Sequence, residues 1–137
     1  MYKKVQFLIL LFWCSQYTYG ADSQSLIGDY SAHIQAGYSI WFELRKENVA
    51  SFNFWTSGDD GGQSQEHEEI GVWVLRDGIL RIETKKSKYF VFGVKVGKVL
   101  RGGQGYILDI QESSLPPDDL VMFHRYYYGR PFGNAIK

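Results

Sequence analysis

Apolar and polar residues alternate along much of this chain, and the alternation is clearest between residues 38 and 45. One set of alternate positions in that stretch is apolar throughout and consists of Tyr38, Ile40, Phe42 and Leu44. Successive side chains of a β-strand point to opposite faces, so a period of two predicts a strand with one buried face. No stretch keeps the 3.6-residue apolar period of an amphipathic helix. The pattern therefore predicts an all-β domain.

The segment Glu69 to Glu83 gives the strongest local signal in the chain. Two apolar runs rich in β-branched residues flank Asp77-Gly78. Asp and Gly adopt the positive φ angles of a tight turn at low steric cost, and this dipeptide between such runs is typical of a β-hairpin. We expect the hairpin to be the architectural anchor of the fold.

The same criteria predict eight strands in chain order: Leu26–Gln35, Tyr38–Arg45, Val49–Thr56, Ile70–Arg76, Ile79–Thr84, Tyr89–Val96, Tyr106–Gln111 and Leu120–Tyr127. Pro116-Pro117 cannot continue a strand ladder, and a short turn of helix is expected near Pro116–Leu120. Most connections are short, which favours pairing of consecutive strands as an antiparallel meander. Closure into a small up-and-down barrel removes exposed strand edges, so we favour it over the alternative, a β-sandwich.

The first twenty residues have the order of a secretory signal peptide. Lys3 and Lys4 precede an apolar run from Val5 to Trp13, and small residues at Thr18 and Gly20 fit cleavage after Gly20. The apolar run is about half of the ~20 residues that a membrane-spanning helix needs. We therefore predict a signal peptide over 1–20, a single mature domain over 21–137, export to the periplasm or the extracellular space, and no transmembrane segment in the mature form.

Cys14 is the only cysteine and lies within the predicted signal peptide. Bulky residues precede it, whereas a lipid-attachment signal would place small ones there, so we do not expect a lipid anchor at Cys14. The mature domain then has no disulfide, and apolar packing must hold it together.

The charge balance is close to neutral. The whole chain has a formal net charge of zero, and the loss of Lys3 and Lys4 leaves thirteen basic against fifteen acidic residues. No basic field of the kind that nucleic-acid binding needs is present. We expect no nucleic-acid partner.

Several short motifs resemble a known group of proteins. They are Gly28-x-Tyr30 in the first strand, Gly71-x-Trp73 after a polar segment, and Asp77-Gly78-x-Leu80. Over about Leu26 to Ile110 the chain resembles the small lipocalin-like barrels of the bacterial envelope, including the N-terminal domain of the NlpE copper-resistance lipoproteins. That domain carries Cys-x-x-Cys after its first strand, whereas residues 34–38 here contain no cysteine. The resemblance implies the fold but no thiol-dependent metal or redox role.

Aromatic residues, 17% of the chain, occur on both faces of the predicted strands. Trp41 and Trp55 alternate with Phe42 and Phe54, so the wall is apolar on both sides. Such a wall can line an interior cavity on one face and contact a ligand or partner on the other. The alternative interpretation is that the outer aromatics form cross-strand pairs that only stabilise the sheet. The predicted ligand-binding residues are Trp41, Phe42, Phe54, Trp55, Leu80, Ile82 and Phe92.

From this pattern we expect an exported, non-enzymatic binding protein with a small hydrophobic ligand in the barrel interior, gated by a polar loop over residues 57–69. The alternative is an envelope interaction or inhibitor module that presents this loop to a protein partner. The chain shows no Gly-x-Ser-x-Gly elbow, no His-Glu-x-x-His motif and no phosphate-binding glycine loop, so we expect neither catalysis nor a cofactor.

Two groups of residues contain side chains that can bind metal ions. The first is Glu66-His67-Glu68-Glu69 with Asp59-Asp60, which lacks calcium-loop spacing and a second nearby histidine. We interpret this stretch as a solvated acidic loop. The second is His33 with His124, which would meet only if barrel closure joined the first and last strands. We predict no metal site.

Overall fold

Eight antiparallel strands form a closed barrel in which consecutive strands are neighbours and the last strand returns to the first. The structure is a computed structural model that describes residues 22–32, 37–58, 63–115 and 123–133. The strands are β1 (Gly28–Ser31), β2 (Tyr38–Leu44), β3 (Val49–Thr56), β4 (Gln65–Arg76), β5 (Ile79–Thr84), β6 (Tyr89–Lys98), β7 (Gln104–Ser113) and β8 (Tyr126–Pro131). The predicted all-β meander barrel is confirmed, and the sandwich alternative is wrong.

Some of the sequence predictions fall outside this part of the chain. They are the signal peptide over 1–20 with Cys14, the metal candidate Asp59-Asp60, His33, and the turn of helix near Pro116–Leu120. No helix in the described ranges is long and apolar enough to cross a membrane.

The two ends of the barrel differ in their connections. One end, here called the hairpin end, carries the turns after β2, β4 and β6. The other end, here called the loop end, carries the connections after β1, β3, β5 and β7. The Asp77-Gly78 turn lies at the hairpin end with φ angles of 51° and 74°, as the dipeptide predicts.

The first strand is shorter than the predicted Leu26–Gln35. Residues Ser23–Leu26 form a 3-10 helix, and the strand covers only Gly28–Ser31. The backbone N–H of Gln24 donates to the Asp22 carboxylate, which caps this helix, and the side chain of Leu26 is fully buried. Leu26 therefore packs against the hairpin end of the barrel from a helical turn. The alternation of apolar residues does not distinguish this position from one in a strand.

Strand β4 begins at Gln65, five residues before the predicted start at Ile70. Residues 65–69 pair with residues 52–56 of β3, so backbone hydrogen bonds to a neighbour extend a polar segment as a strand. The predicted loop over 57–69 is therefore too long, because its last five residues belong to the barrel wall.

The last strand is also displaced from its prediction. It runs over Tyr126–Pro131 instead of Leu120–Tyr127, and its pairing with β7 places Tyr127 opposite Leu108. The strand includes Gly129 and Pro131 because it lies at the closing seam, where one residue without an N–H is tolerated.

Aromatic rings fill the middle of the barrel. The ring centroid of Phe42 lies 5.0–5.3 Å from those of four neighbours: Phe52, Phe90, Phe92 and Tyr127. Leu44, Leu80, Ile82 and Leu108 are fully or almost fully buried around this cluster. Aromatic pairs at such distances add about 0.5–1.5 kcal/mol each beyond the area they bury. Packing of this cluster stabilises the domain without a disulfide.

Candidate functional site

The predicted interior residues separate into two groups in the structure. Phe42, Leu80, Ile82 and Phe92 have no exposed surface and pack against one another or their neighbours in the core. Phe54 lies nearer the loop end and is only partly buried. Of the predicted ligand-binding residues on the interior face, Phe54 is therefore the one that a ligand can reach without a change in the core.

A recess of about 240 Å³ opens beside Phe54 at the loop end. Strands β3 and β4 and the turn before β6 provide its lining: Phe52, Phe54, His67, Glu68, Glu69, Lys86 and Lys88. It therefore combines two aromatic rings with several charged groups.

The register between β3 and β4 explains this mixture. Phe52 pairs with Glu69, and Phe54 pairs with His67. Directly paired residues share a face of the sheet, so Glu69 and His67 lie on the interior side with the phenylalanines, and Glu66 and Glu68 lie on the outer side. The acidic segment is thereby split between two faces. Within the described ranges, no group of three or more potential ligands could hold a metal ion.

Glu69 is the most confined charged group of the recess. Its side chain is 11% exposed, and Oε1 accepts a hydrogen bond from Nζ of Lys88. The second carboxylate oxygen, Oε2, is buried and has no hydrogen-bond partner in the described part of the chain. A buried acceptor without a partner costs about 1–3 kcal/mol, so this oxygen is a favourable position for an incoming donor.

Phe123 covers the aromatic core from the loop end. Its ring is stacked on Phe52 at 5.8 Å and on Phe90 at 5.7 Å between centroids. A second recess of about 250 Å³ lies at this ring, lined by Ile110, Gln111, Glu112, Ser113, Phe123, His124 and Arg125. An apolar molecule that moved deeper into the barrel would have to displace Phe123.

Two further side chains near this end are fixed by packing. His124 stacks on the ring of Tyr38 at 6.4 Å, while its proposed companion His33 lies outside the described residues. Burial raises the pKa of Tyr127 well above its ordinary value, so this hydroxyl remains protonated. The Tyr127 side chain therefore adds no charge to the loop end.

Trp41 and Trp55 do not join the recess. Trp41 pairs with Asn53 and Trp55 with Ser39, on the outer face of the wall, where both indoles are half-buried. Asn53 is buried on this outer face and donates a hydrogen bond to Ser51 Oγ at 2.8 Å. The outer tryptophans therefore lie beside a small polar network and not beside the interior ligand residues.

A wider groove of about 710 Å³ lies at the hairpin end, next to the turn of Lys46 to Asn48 and the 3-10 helix. Its one large aromatic side chain, Trp73, is only 2% exposed and donates its indole N–H to the carbonyl of Arg45 at 3.0 Å. The groove thus offers little aromatic surface, and the smaller recess at the loop end is the better candidate site.

Sequence reasoning missed three residues that shape the loop end, Phe52, Lys88 and Phe123, and it named Glu69 only as a possible metal ligand. The alternation that identified Phe54 also places Phe52 on the same face, so that residue had a signal. The placement of Glu69 beside Phe52 and Lys88 had no such signal, because it depends on the start of β4 and on the turn before β6.

Comparison with known proteins identifies no relative of this chain. No protein-family model matches the chain, and no curated protein or solved structure gives a match. The fold and the site define a small closed meander barrel, consistent with a lipocalin-like barrel, with a filled centre and an aromatic and charged recess at its loop end.

Proposed function

We propose that this protein is an exported, non-enzymatic binding protein that takes up a small hydrophobic molecule at the loop end of its barrel. One observation carries the proposal: Phe54 lies on the interior face, partly buried, beside an open recess that Phe52 also lines. Ligand pockets are concave and combine apolar surface with a few polar groups. This recess supplies two aromatic rings for the apolar part of a ligand, and its other five lining residues are polar or charged.

Binding would be driven by removal of apolar surface from water, at roughly 25 cal/mol for each Å² buried. Phe54 would contact the ligand directly, and the buried residues Phe42, Leu80, Ile82 and Phe92 would form a rigid floor. Phe123 would compete with the ligand for the stacked position over Phe52.

The protein is expressed from its full sequence, including residues 1–20, and the product is analysed by native mass spectrometry. This experiment tests both export and binding. We expect an exported species that lacks residues 1–20 and carries an apolar adduct after incubation with extracted lipids. An uncleaved protein retained in the cell would contradict export. A cleaved protein with no adduct and no change in melting temperature would contradict binding.

Two neighbouring residues of β3 provide a matched pair of variants for this experiment. Phe54→Ala should weaken adduct formation because it removes a ring from the recess, whereas Trp55→Ala changes the opposite face and should leave the adduct unchanged. Equal loss in both variants would point to an effect on folding, which thermal melting measures directly.

The resemblance to small lipocalin-like barrels of the bacterial envelope, and to the NlpE N-terminal domain in particular, supports an envelope location within the same proposal. Its support is the set of motifs at Gly28-x-Tyr30, Gly71-x-Trp73 and Asp77-Gly78-x-Leu80. The missing Cys-x-x-Cys means that the proposal includes no copper or thiol chemistry.

A second candidate function, contact with an envelope protein, has an observation of its own. Val72, Val74 and Ile79 lie on the outer face of β4 and β5 with 56%, 51% and 45% of their surface exposed. Neighbouring exposed apolar side chains are a feature of interaction surfaces. This surface lies apart from the connection between β3 and β4, which was the expected contact segment.

The protein contact could use the outer face of β4 and β5 or the connection between β3 and β4. A photo-crosslinking side chain distinguishes these two surfaces. Placed at Val74, it should give a specific protein adduct in the native envelope if the outer face is used. Placed at Ser64, it should do so if the connection before β4 is used. Absence of a specific adduct from both positions would contradict the second function.

A further inference from the structure

The loop-end recess contains an acceptor that no residue in the described ranges satisfies. Glu69 Oε2 is buried and lacks a hydrogen-bond partner in the described ranges, while Oε1 of the same carboxylate is bound by Lys88. The β3–β4 register holds Glu69 directly opposite Phe52 on the interior face. An unsatisfied acceptor and an aromatic surface therefore lie side by side in one recess.

We propose that the molecule taken up at the loop end is amphipathic, with an apolar body that packs on Phe52 and Phe54 and a hydrogen-bond donor, such as a hydroxyl group, that Glu69 Oε2 accepts. The inference rests on the proposed function and narrows its ligand class. A site that is built to accept a hydrogen bond discriminates against analogues without the donor, because its own acceptor then stays unpaired.

The charges around Glu69 favour an uncharged donor over an anionic head group. Lys88 already balances the Glu69 carboxylate, so the site does not need a second cation. A carboxylate ligand would place a second acceptor-only anion beside a buried carboxylate oxygen, which costs free energy through repulsion and desolvation. Lys86 and Lys88 border the recess and are the groups that would favour an anion instead, so an anionic ligand must be included in the test.

Three compounds with apolar chains of similar length separate these cases: octanol has a donor, octyl methyl ether has the same octyl chain with an acceptor only, and octanoate has an anionic head group. Their dissociation constants for the full mature chain can be measured at neutral pH by NMR titration of the backbone amides. We expect octanol to bind roughly fivefold or more tightly than the ether, as one net hydrogen bond implies. Octanoate should bind more weakly than octanol.

The variant Glu69→Leu removes the acceptor and keeps a side chain of similar size. It should bring the affinities for octanol and the ether to within about twofold of each other. Glu66→Leu makes the same change on the outer face of β4 and should leave the wild-type preference intact. If Glu69→Leu melts far below the wild type, the three-ligand comparison on the wild type still tests the donor assignment without a variant.

The outcomes keep the two proposals apart. Equal binding of octanol and the ether by the wild type, tightest binding of octanoate, or an unchanged preference in a folded Glu69→Leu variant would overturn the donor assignment while leaving ligand binding in place. Failure of all three compounds to bind would contradict the proposed function itself.

Discussion

At the scale of single residues, a buried carboxylate with two cationic partners lies outside the candidate site, at Asp109 on β7. Its carboxylate is 2% exposed and accepts hydrogen bonds from Lys95 Nζ at 2.6 Å and from Arg125 Nε at 3.1 Å. Burial acts to raise the pKa of Asp109, but the two cationic donors outweigh it and hold the pKa below its ordinary value of 3.8. This carboxylate ties β6 and the segment before β8 to β7.

We predict that Asp109→Asn lowers the free energy of unfolding at neutral pH by about 1.5–3 kcal/mol, the range for hydrogen bonds to charged groups. Because the folded pKa is depressed, the stabilisation is complete above the ordinary value of 3.8 and is lost as the pH falls through the folded pKa. Urea unfolding at pH 7 and at successively lower pH checks both points. The difference between wild type and variant should shrink in acid, and a constant difference would contradict the assignment.

The turn between β2 and β3 stores strain in its backbone. Glu47 and Asn48 both have a φ of 59°, in the left-handed region that favours glycine, and Asn tolerates it better than Glu. Glu47 is exposed, so its side chain does not secure the turn by burial. The Asp77-Gly78 turn at the same end of the barrel also has two residues with positive φ, but there one of them is glycine, whereas this turn has glutamate.

We therefore predict that Glu47→Gly raises the free energy of unfolding by about 1 kcal/mol through relief of left-handed strain. Gly78→Ala should lower it by about the same amount, because a Cβ there meets no atom within 4 Å and only the φ of 74° opposes it. Chemical denaturation of both variants gives the comparison. A loss of stability in Glu47→Gly would show that strain is not the dominant contribution at that turn.

At the scale of elements, β4 depends on the absence of a side chain at Gly71. A Cβ built there would lie far inside contact distance of the Glu83 carbonyl oxygen on β5. Gly93 on β6 is a matched control, because the atom nearest to its Cβ would be the flexible end of Gln111 at 3.4 Å.

We predict that Gly71→Ala lowers the free energy of unfolding by about 3 kcal/mol or prevents folding, since backbone would have to move. Gly93→Ala should change it by no more than about 1 kcal/mol. Tryptophan fluorescence during urea unfolding reports both, as the buried Trp73 lies two residues from Gly71. Similar midpoints for the two variants would contradict a steric role for Gly71.

The elements also show where sequence reasoning succeeds and where it ends. Alternation and the Asp77-Gly78 turn predicted eight strands, and the short connections predicted their order, because each of those signals is local. The start of β4 and the position of β8 depend on backbone pairing with a neighbouring strand, which local composition does not encode. The same limit applies to the site: Phe54 follows from alternation, but its proximity to Glu69 and Lys88 follows from register.

At the scale of the whole molecule, closure is uneven around the barrel. Within the described residues, β1 and β8 share a single register pair, Ser31 with Tyr128, whereas β3 pairs with β4 along its full length. Side chains supplement this seam: the ring of Tyr30 lies against Gly129, and Arg130 donates to Asp29 at 3.4 Å. The seam thus relies on packing where the other strand pairs rely on backbone hydrogen bonds.

Local opening follows the strength of local contacts, so the seam should open at lower free energy than the opposite wall. We predict that native-state hydrogen exchange gives lower average protection to the amides of β1 and β8 than to those of β3 and β4. Gly129→Ala should widen this difference, because its Cβ would come within 2.9 Å of the Tyr30 ring and disturb the packing that supplements the seam. Uniform protection around the barrel would contradict the prediction that this seam is the weaker part of the wall.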